Sequence, residues 1–121
     1  MHYEMLYQDF QNNIPDCRSF CYNKEKDNLI DSDSGIHTIF GMVIVPYIMK
    51  KIREKDDITV KKIFAFMENM AICKDVRVRE VLDFTILEQL IDDGDNRLDH
   101  IKKYMGANTL ENCEEIEKYL F

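Results

Sequence analysis

Between Ile36 and Met49 the chain runs for 14 residues in which only His37, Thr38 and Pro46 break a succession of apolar residues and Gly41. Apolar side chains fall all the way round a helical wheel here, as they do in a helix enclosed on several sides. A bilayer crossing needs roughly 20 apolar residues, so the run is a core element and not a membrane span. It predicts a central helix over residues 36–53, with the rest of the chain packed round it. Pro46 has no amide hydrogen and its ring clashes with the carbonyl of Met42, which predicts a kink, or a break with a second helix starting near Pro46. Because Val43, Ile44 and Val45 are β-branched, a strand over Met42 to Ile48 is the alternative.

Helical periodicity accounts for most of the remainder. In Val60 to Cys73 the residues Val60, Ile63, Phe64, Met67, Met70 and Ala71 share one face, and Lys61, Lys62, Glu68 and Asn69 share the other. Thr59 reads as its N-cap, with Ile58 and Ile63 forming a hydrophobic staple. From Val76 to Asp92, Phe84, Ile86, Leu87, Leu90 and Ile91 form an apolar stripe opposite Thr85, Glu88, Gln89 and Asp92, and Gly94 ends the helix. Asp95 caps a short helix through Tyr104, which Gly106 stops in the left-handed conformation. Asn108 and Glu111 spell a capping box for a last helix, with Leu110, Cys113, Ile116 and Leu120 inward and Glu111, Glu114, Glu115 and Lys118 in water. Tyr3, Leu6, Tyr7 and Phe10 mark a first helix; Pro15 opens a second that carries Cys17, Phe20 and Cys21. Lys26 to Gly35 is a linker. The expected fold is all-α, a single domain over residues 1–121 of six or seven helices around the central one; its 121 residues, 45% apolar and 32% charged, fill one domain.

Known chemistries lack their parts. In Asp31 to Gly35 and Asp92 to Asn96, setting the glycine sixth in a calcium loop leaves positions 1 and 12 without carboxylates, so both segments read as turns. Cys17, Cys21, Cys73 and Cys113 make no CxxC pair, and Cys17 with Cys21 reads as a pair of small buried hydrophobes. Ser34 and Arg97 stand where a di-iron bundle would need glutamates before His37 and His100. None of the three serines lies in GxSxG, and the four glycines form no phosphate-binding loop. His37 reads as a satisfied core histidine, and Glu68 and Glu88 as solvated helix positions. The expectation is of no enzyme, no metal and no cofactor; an enzyme would have to assemble His37, Glu68, Glu88 and Cys73 in one concave site. With no basic segment leading into an apolar one after Met1, the expected compartment is cytoplasmic.

Charge is the more informative signal. Sixteen basic against 23 acidic residues give −7 overall, distributed as −4 over residues 1–35, +3 over 36–80 and −6 over 81–121. Nucleic acid is disfavoured as a partner, and no membrane association is expected. Lys50, Lys51, Arg53, Lys55, Lys61 and Lys62 alternate with Glu54, Asp56 and Asp57 and read as a solvated connection between helices. In the C-terminal third Asp92, Asp93, Asp95, Asp99, Glu111, Glu114, Glu115 and Glu117 repel one another unless a cationic partner uses them.

Ile63-Phe64-Ala65-Phe66-Met67-Glu68-Asn69-Met70, Val76 to Val81, Phe84-Thr85-Ile86-Leu87-Glu88-Gln89-Leu90 and Met105-Gly106-Ala107-Asn108-Thr109-Leu110 together resemble small helical immunity proteins of bacterial polymorphic and contact-dependent toxin systems. The similarity covers residues 36–121. It implies a non-catalytic cytoplasmic protein that neutralises one cognate toxin, often a nuclease, by covering its active site. A nuclease carries a basic substrate surface, which carboxylates can occupy through charge-assisted hydrogen bonds. Asp92, Asp93, Asp95, Asp99, Glu111, Glu114 and Glu115 are therefore the expected partner-binding residues. An acidic adaptor or homo-oligomeric scaffold without a toxin partner is the alternative.

Overall fold

The computed structural model describes residues 1–92 and 97–120, Arg97 by its backbone alone. Every regular element among them is helical. There are seven segments: α1 (3–13), α2 (15–27), α3 (36–53), α4 (Asp57–Ala71), α5 (76–91), α6 (97–104) and α7 (Ala107–Leu120). Helix α3 is the hub, touching α1, α2, α4 and α5, while α7 lies on α4 and α5. Phe40, Val43, Ile44, Tyr47 and Ile48 of α3 are almost completely buried, and only Met42 and Thr38 of its apolar run reach the surface. No helix among the described residues is long and apolar enough to cross a membrane.

Pro46 produces the expected break in an economical form. The chain is α-helical over Ile36–Ile39, widens to π-helical over Phe40–Ile44, and is α-helical again over Val45–Arg53 with Pro46 in its first turn. Val45 N bonds Phe40 O across the widened turn, and Pro46, which has no amide hydrogen, falls just after it where the wider geometry returns to α. The strand alternative for Met42 to Ile48 is not adopted.

A second π-helical segment, Val81–Leu87, lies inside α5 and packs against the first. Gly41 permits the close approach: a Cβ there would sit 3.2 Å from Gln89 Nε2 and 3.6 Å from Thr85 Cγ2. His37 Nδ1 bonds Thr85 Oγ1 across the same contact at 2.7 Å, so this half-buried histidine is a satisfied one. The expected stripe on α5 holds at Ile86, Leu87, Leu90 and Ile91, which are all buried, and fails at one pair: Thr85 is buried and Phe84 is 58% exposed. Val78, Val81, Leu82 and Thr85 continue the inner face toward the start of α5 at helical spacing, and Phe84 falls off that row.

Helix ends account for three further differences. Asp56, not Thr59, caps α4: Asp56 Oδ1 accepts from Thr59 N and Asp56 Oδ2 from Thr59 Oγ1. Ile58 therefore sits inside the first turn, 73% exposed, and the staple with Ile63 does not form. Gly106 does not take up the left-handed conformation; it lies where a Cβ would be 2.4 Å from Glu68 Cδ. In the loop before α3, Asp33 N bonds Asp31 Oδ1 and Asp31 N bonds Ser34 Oγ, a self-satisfied turn as expected. The stop at Gly94 and the cap at Asp95 lie outside the described residues.

After α3 the chain closes with Asp56 N bonding Lys51 O and Lys55 N bonding Ile52 O, which places Lys55 at φ 57°. This is the glycine position of a Schellman motif, and a side chain there is strained. Lys55→Gly should stabilise the fold by about 0.5–1 kcal/mol, raising the melting temperature by about 2–4 °C. A melt that stays the same or falls would show that Lys55 makes a compensating contact.

Candidate functional site

Pairing of the basic middle is partial. Lys50 pairs with Glu54 at 2.8 Å, and Lys51 pairs with Glu54 at 3.1 Å and Asp56 at 3.6 Å. Arg53, Lys55, Lys61 and Lys62 are exposed and pair with no carboxylate among the described residues. Arg77 is taken by Glu4 and Asp75, each at 2.9 Å, and Arg79 bonds the carbonyl of Cys73. Lys50, Lys51, Arg77 and Arg79 are thus committed within the chain.

The C-terminal carboxylates mostly are not. Glu111, Glu114 and Glu115 are exposed on one face of α7, at spacings of three and four residues, and Asp92 is exposed at the end of α5. None of the four pairs with a cation among the described residues. Asp99 on α6 is 93% exposed but approaches Lys102 at 3.8 Å, while Lys102 is more tightly held by Glu117 at 2.7 Å. Asp93 and Asp95 lie outside the described residues. Four of the seven expected binding residues therefore present free carboxylates, and one is partly paired.

The structure adds members that charge counting along the sequence missed. A groove of ≈ 280 Å³ runs between α5 and α7, its α5 wall formed by Asp83, Phe84 and Glu88 and its α7 wall by Asn112, Glu115, Ile116 and Tyr119. Phe84 is 58% and Tyr119 89% exposed, so two aromatic rings stand beside three carboxylates. Burial raises the Asp83 carboxyl above the usual aspartate range; the hydrogen bond from Asn112 and the charge of Arg79 oppose this, and Glu115 and Glu88 add to it. The signal was present in the sequence as Phe84, a large aromatic residue off the Val78-Val81-Leu82-Thr85 row.

His37, Cys73, Glu68 and Glu88 each have their own surroundings. His37 bonds Thr85, Cys73 Sγ lies 3.4 Å from the carbonyl of Met1, and Glu88 lines the groove. Glu68 is not a solvated helix position. Its carboxylate accepts from Asn108 N, Asn108 Nδ2, Thr109 N and Thr109 Oγ1 at 2.8–3.2 Å, capping α7 from α4 in place of the expected Asn108 and Glu111 box. Burial opposes ionisation of Glu68, but these four donors hold its carboxyl below the usual glutamate range. Cys17 and Cys21 are fully buried in α2. Among the described residues no group of three or more His, Cys, Asp or Glu is placed to hold a metal.

A family model described as a domain of unknown function, DUF7674, matches residues 7–120. The chain belongs to the DUF7674 family. Comparison with curated proteins and with solved structures found no match. The matched span takes in all of the groove between α5 and α7, so any function of this DUF7674 chain has to be argued from that site itself.

Proposed function

We propose that this DUF7674 chain is a non-catalytic, immunity-type inhibitor that binds and neutralises a cognate toxin, a basic nuclease, through the acidic face formed by α7 and the end of α5. One observation carries the reading: the carboxylates of Asp92, Glu111, Glu114 and Glu115 are exposed and left without cations among the described residues, three of them gathered on one face of α7. Clustered like charges repel, and a cationic partner relieves that repulsion on binding. Complementary charge also speeds encounter and rejects wrong partners. Inhibition of this kind requires only that a substrate cleft be covered. The resemblance of residues 36–121 to immunity proteins supports the same reading.

Co-expression with the product of the adjacent upstream gene tests it. The expected result is rescue of growth and a stable one-to-one complex in the cytoplasm. No rescue, with a chain that only self-associates, would replace this reading with that of a homo-oligomeric scaffold.

A further inference from the structure

We infer that the groove between α5 and α7 anchors an arginine side chain of a basic protein partner, its guanidinium lying against Phe84 and Tyr119 and bonding Asp83, Glu88 and Glu115. The inference rests on the acidic-face reading above and adds what that face selects. The groove's ≈ 280 Å³ is side-chain-sized, at the foot of the range that takes small ligands. Its apolar contacts come from Phe84, Ile116 and Tyr119, and among the described residues no cation pairs with its carboxylates. Arg79, the basic residue nearest in charge to Asp83, is committed to the Cys73 carbonyl.

The chemistry separates arginine from lysine. A guanidinium is planar, weakly hydrated and able to bond two carboxylate oxygens at once while stacking on an aromatic face. An ammonium is compact and strongly hydrated, and loses more on entering a groove with apolar walls. Exposed Phe84 and Tyr119 have no core role to explain their position: one is 58% exposed and the other 89%. Each supplies a ring on which a guanidinium can stack, adding to the arginine preference that two-oxygen bonding to the carboxylates already gives.

Hexa-arginine and hexa-lysine peptides, titrated by fluorescence anisotropy into the intact chain, provide the test. The wild type is expected to bind hexa-arginine about tenfold more tightly, the combined effect of guanidinium stacking, two-oxygen bonding and weaker hydration. Phe84→Ala with Tyr119→Ala keeps every charge and should reduce that preference at least about threefold, with an unchanged melt. Asp83→Asn with Glu88→Gln and Glu115→Gln should weaken both peptides at least about tenfold. Equal affinities in the wild type, or a preference undiminished by removal of the rings, overturns the arginine assignment while leaving the acidic-face reading standing. Binding of both peptides that ignores the carboxylate substitutions overturns the groove as the anchoring site, whereas failure of the acidic-face reading would show as binding that also ignores charge reversal at Asp92, Glu111 and Glu114. A wild-type dimer in sedimentation that the ring variant lacks assigns the groove to a second copy of the chain and likewise overturns the inference.

Discussion

Phe10→Ala should lower the unfolding free energy by about 3–5 kcal/mol, the range for deleting a buried phenylalanine. Phe10 is 1% exposed and lies edge-on to Phe66 at 5.2 Å and 83°, and to Phe40 at 6.2 Å and 81°. Those three rings come from α1, α4 and α3, so one side chain ties the first helix to the hub and to its neighbour. Alanine would leave a void walled by rigid rings that cannot collapse into it, and would also lose two aromatic pairs. A domain of this length has a total stability of about 6–18 kcal/mol, so the variant should melt at least about 10 °C lower. Urea unfolding read by circular dichroism measures it. A loss below about 1 kcal/mol would contradict the three-ring junction.

Glu68→Ala should cost about 2–3 kcal/mol, because it strips four hydrogen bonds from the first turn of α7 and leaves the buried Thr109 without its acceptor. Gly106→Ala reaches the same contact from the other side. Its new Cβ would lie 2.4 Å from Glu68 Cδ and 2.6 Å from Oε1, displacing the carboxylate from the amides it caps. The two substitutions should therefore be non-additive, the double variant being about as stable as Glu68→Ala alone. Independent, summing effects would show that Gly106 matters for another reason. Acid sharpens the test. A carboxyl lowered on folding stabilises above its unfolded value of 4.5, and that contribution is lost as pH falls through its folded value. The gap between wild type and Glu68→Ala should hold steady near neutrality and narrow progressively as pH falls from about 4.5 through the folded value.

Helix number and the central position of residues 36–53 were legible because both rest on apolar spacing, which a buried helix enforces over many residues. What escaped was set by tertiary contact. Nothing local to Asn108 announces that its amide is capped by a carboxylate 40 residues earlier; the local capping-box pattern at Glu111 was the available signal, and it was misleading. Phe84 and Thr85 exchanged places because the row begun by Val78, Val81 and Leu82 reaches Thr85, which packs beside Gly41 and bonds His37, and leaves Phe84 outside it. Asp56 displaced Thr59 as a cap since both residue types suit the position, and the last turn of α3 decides between them. For the candidate site, linear charge density identified the α7 face at Glu111, Glu114 and Glu115. It missed Asp83 and Glu88, which join that face only once α5 lies beside α7.

The central claim is that exposed carboxylates on α7 and at the end of α5 grip a basic protein. Its most direct test is the binding kinetics of the adjacent gene product to a chain carrying Asp92→Lys, Glu111→Lys, Glu114→Lys and Glu115→Lys. Slower association, faster dissociation and an affinity weakened at least about 100-fold, with an unaltered melt, are the predicted result. Wild-type kinetics in the folded, charge-reversed chain would contradict it.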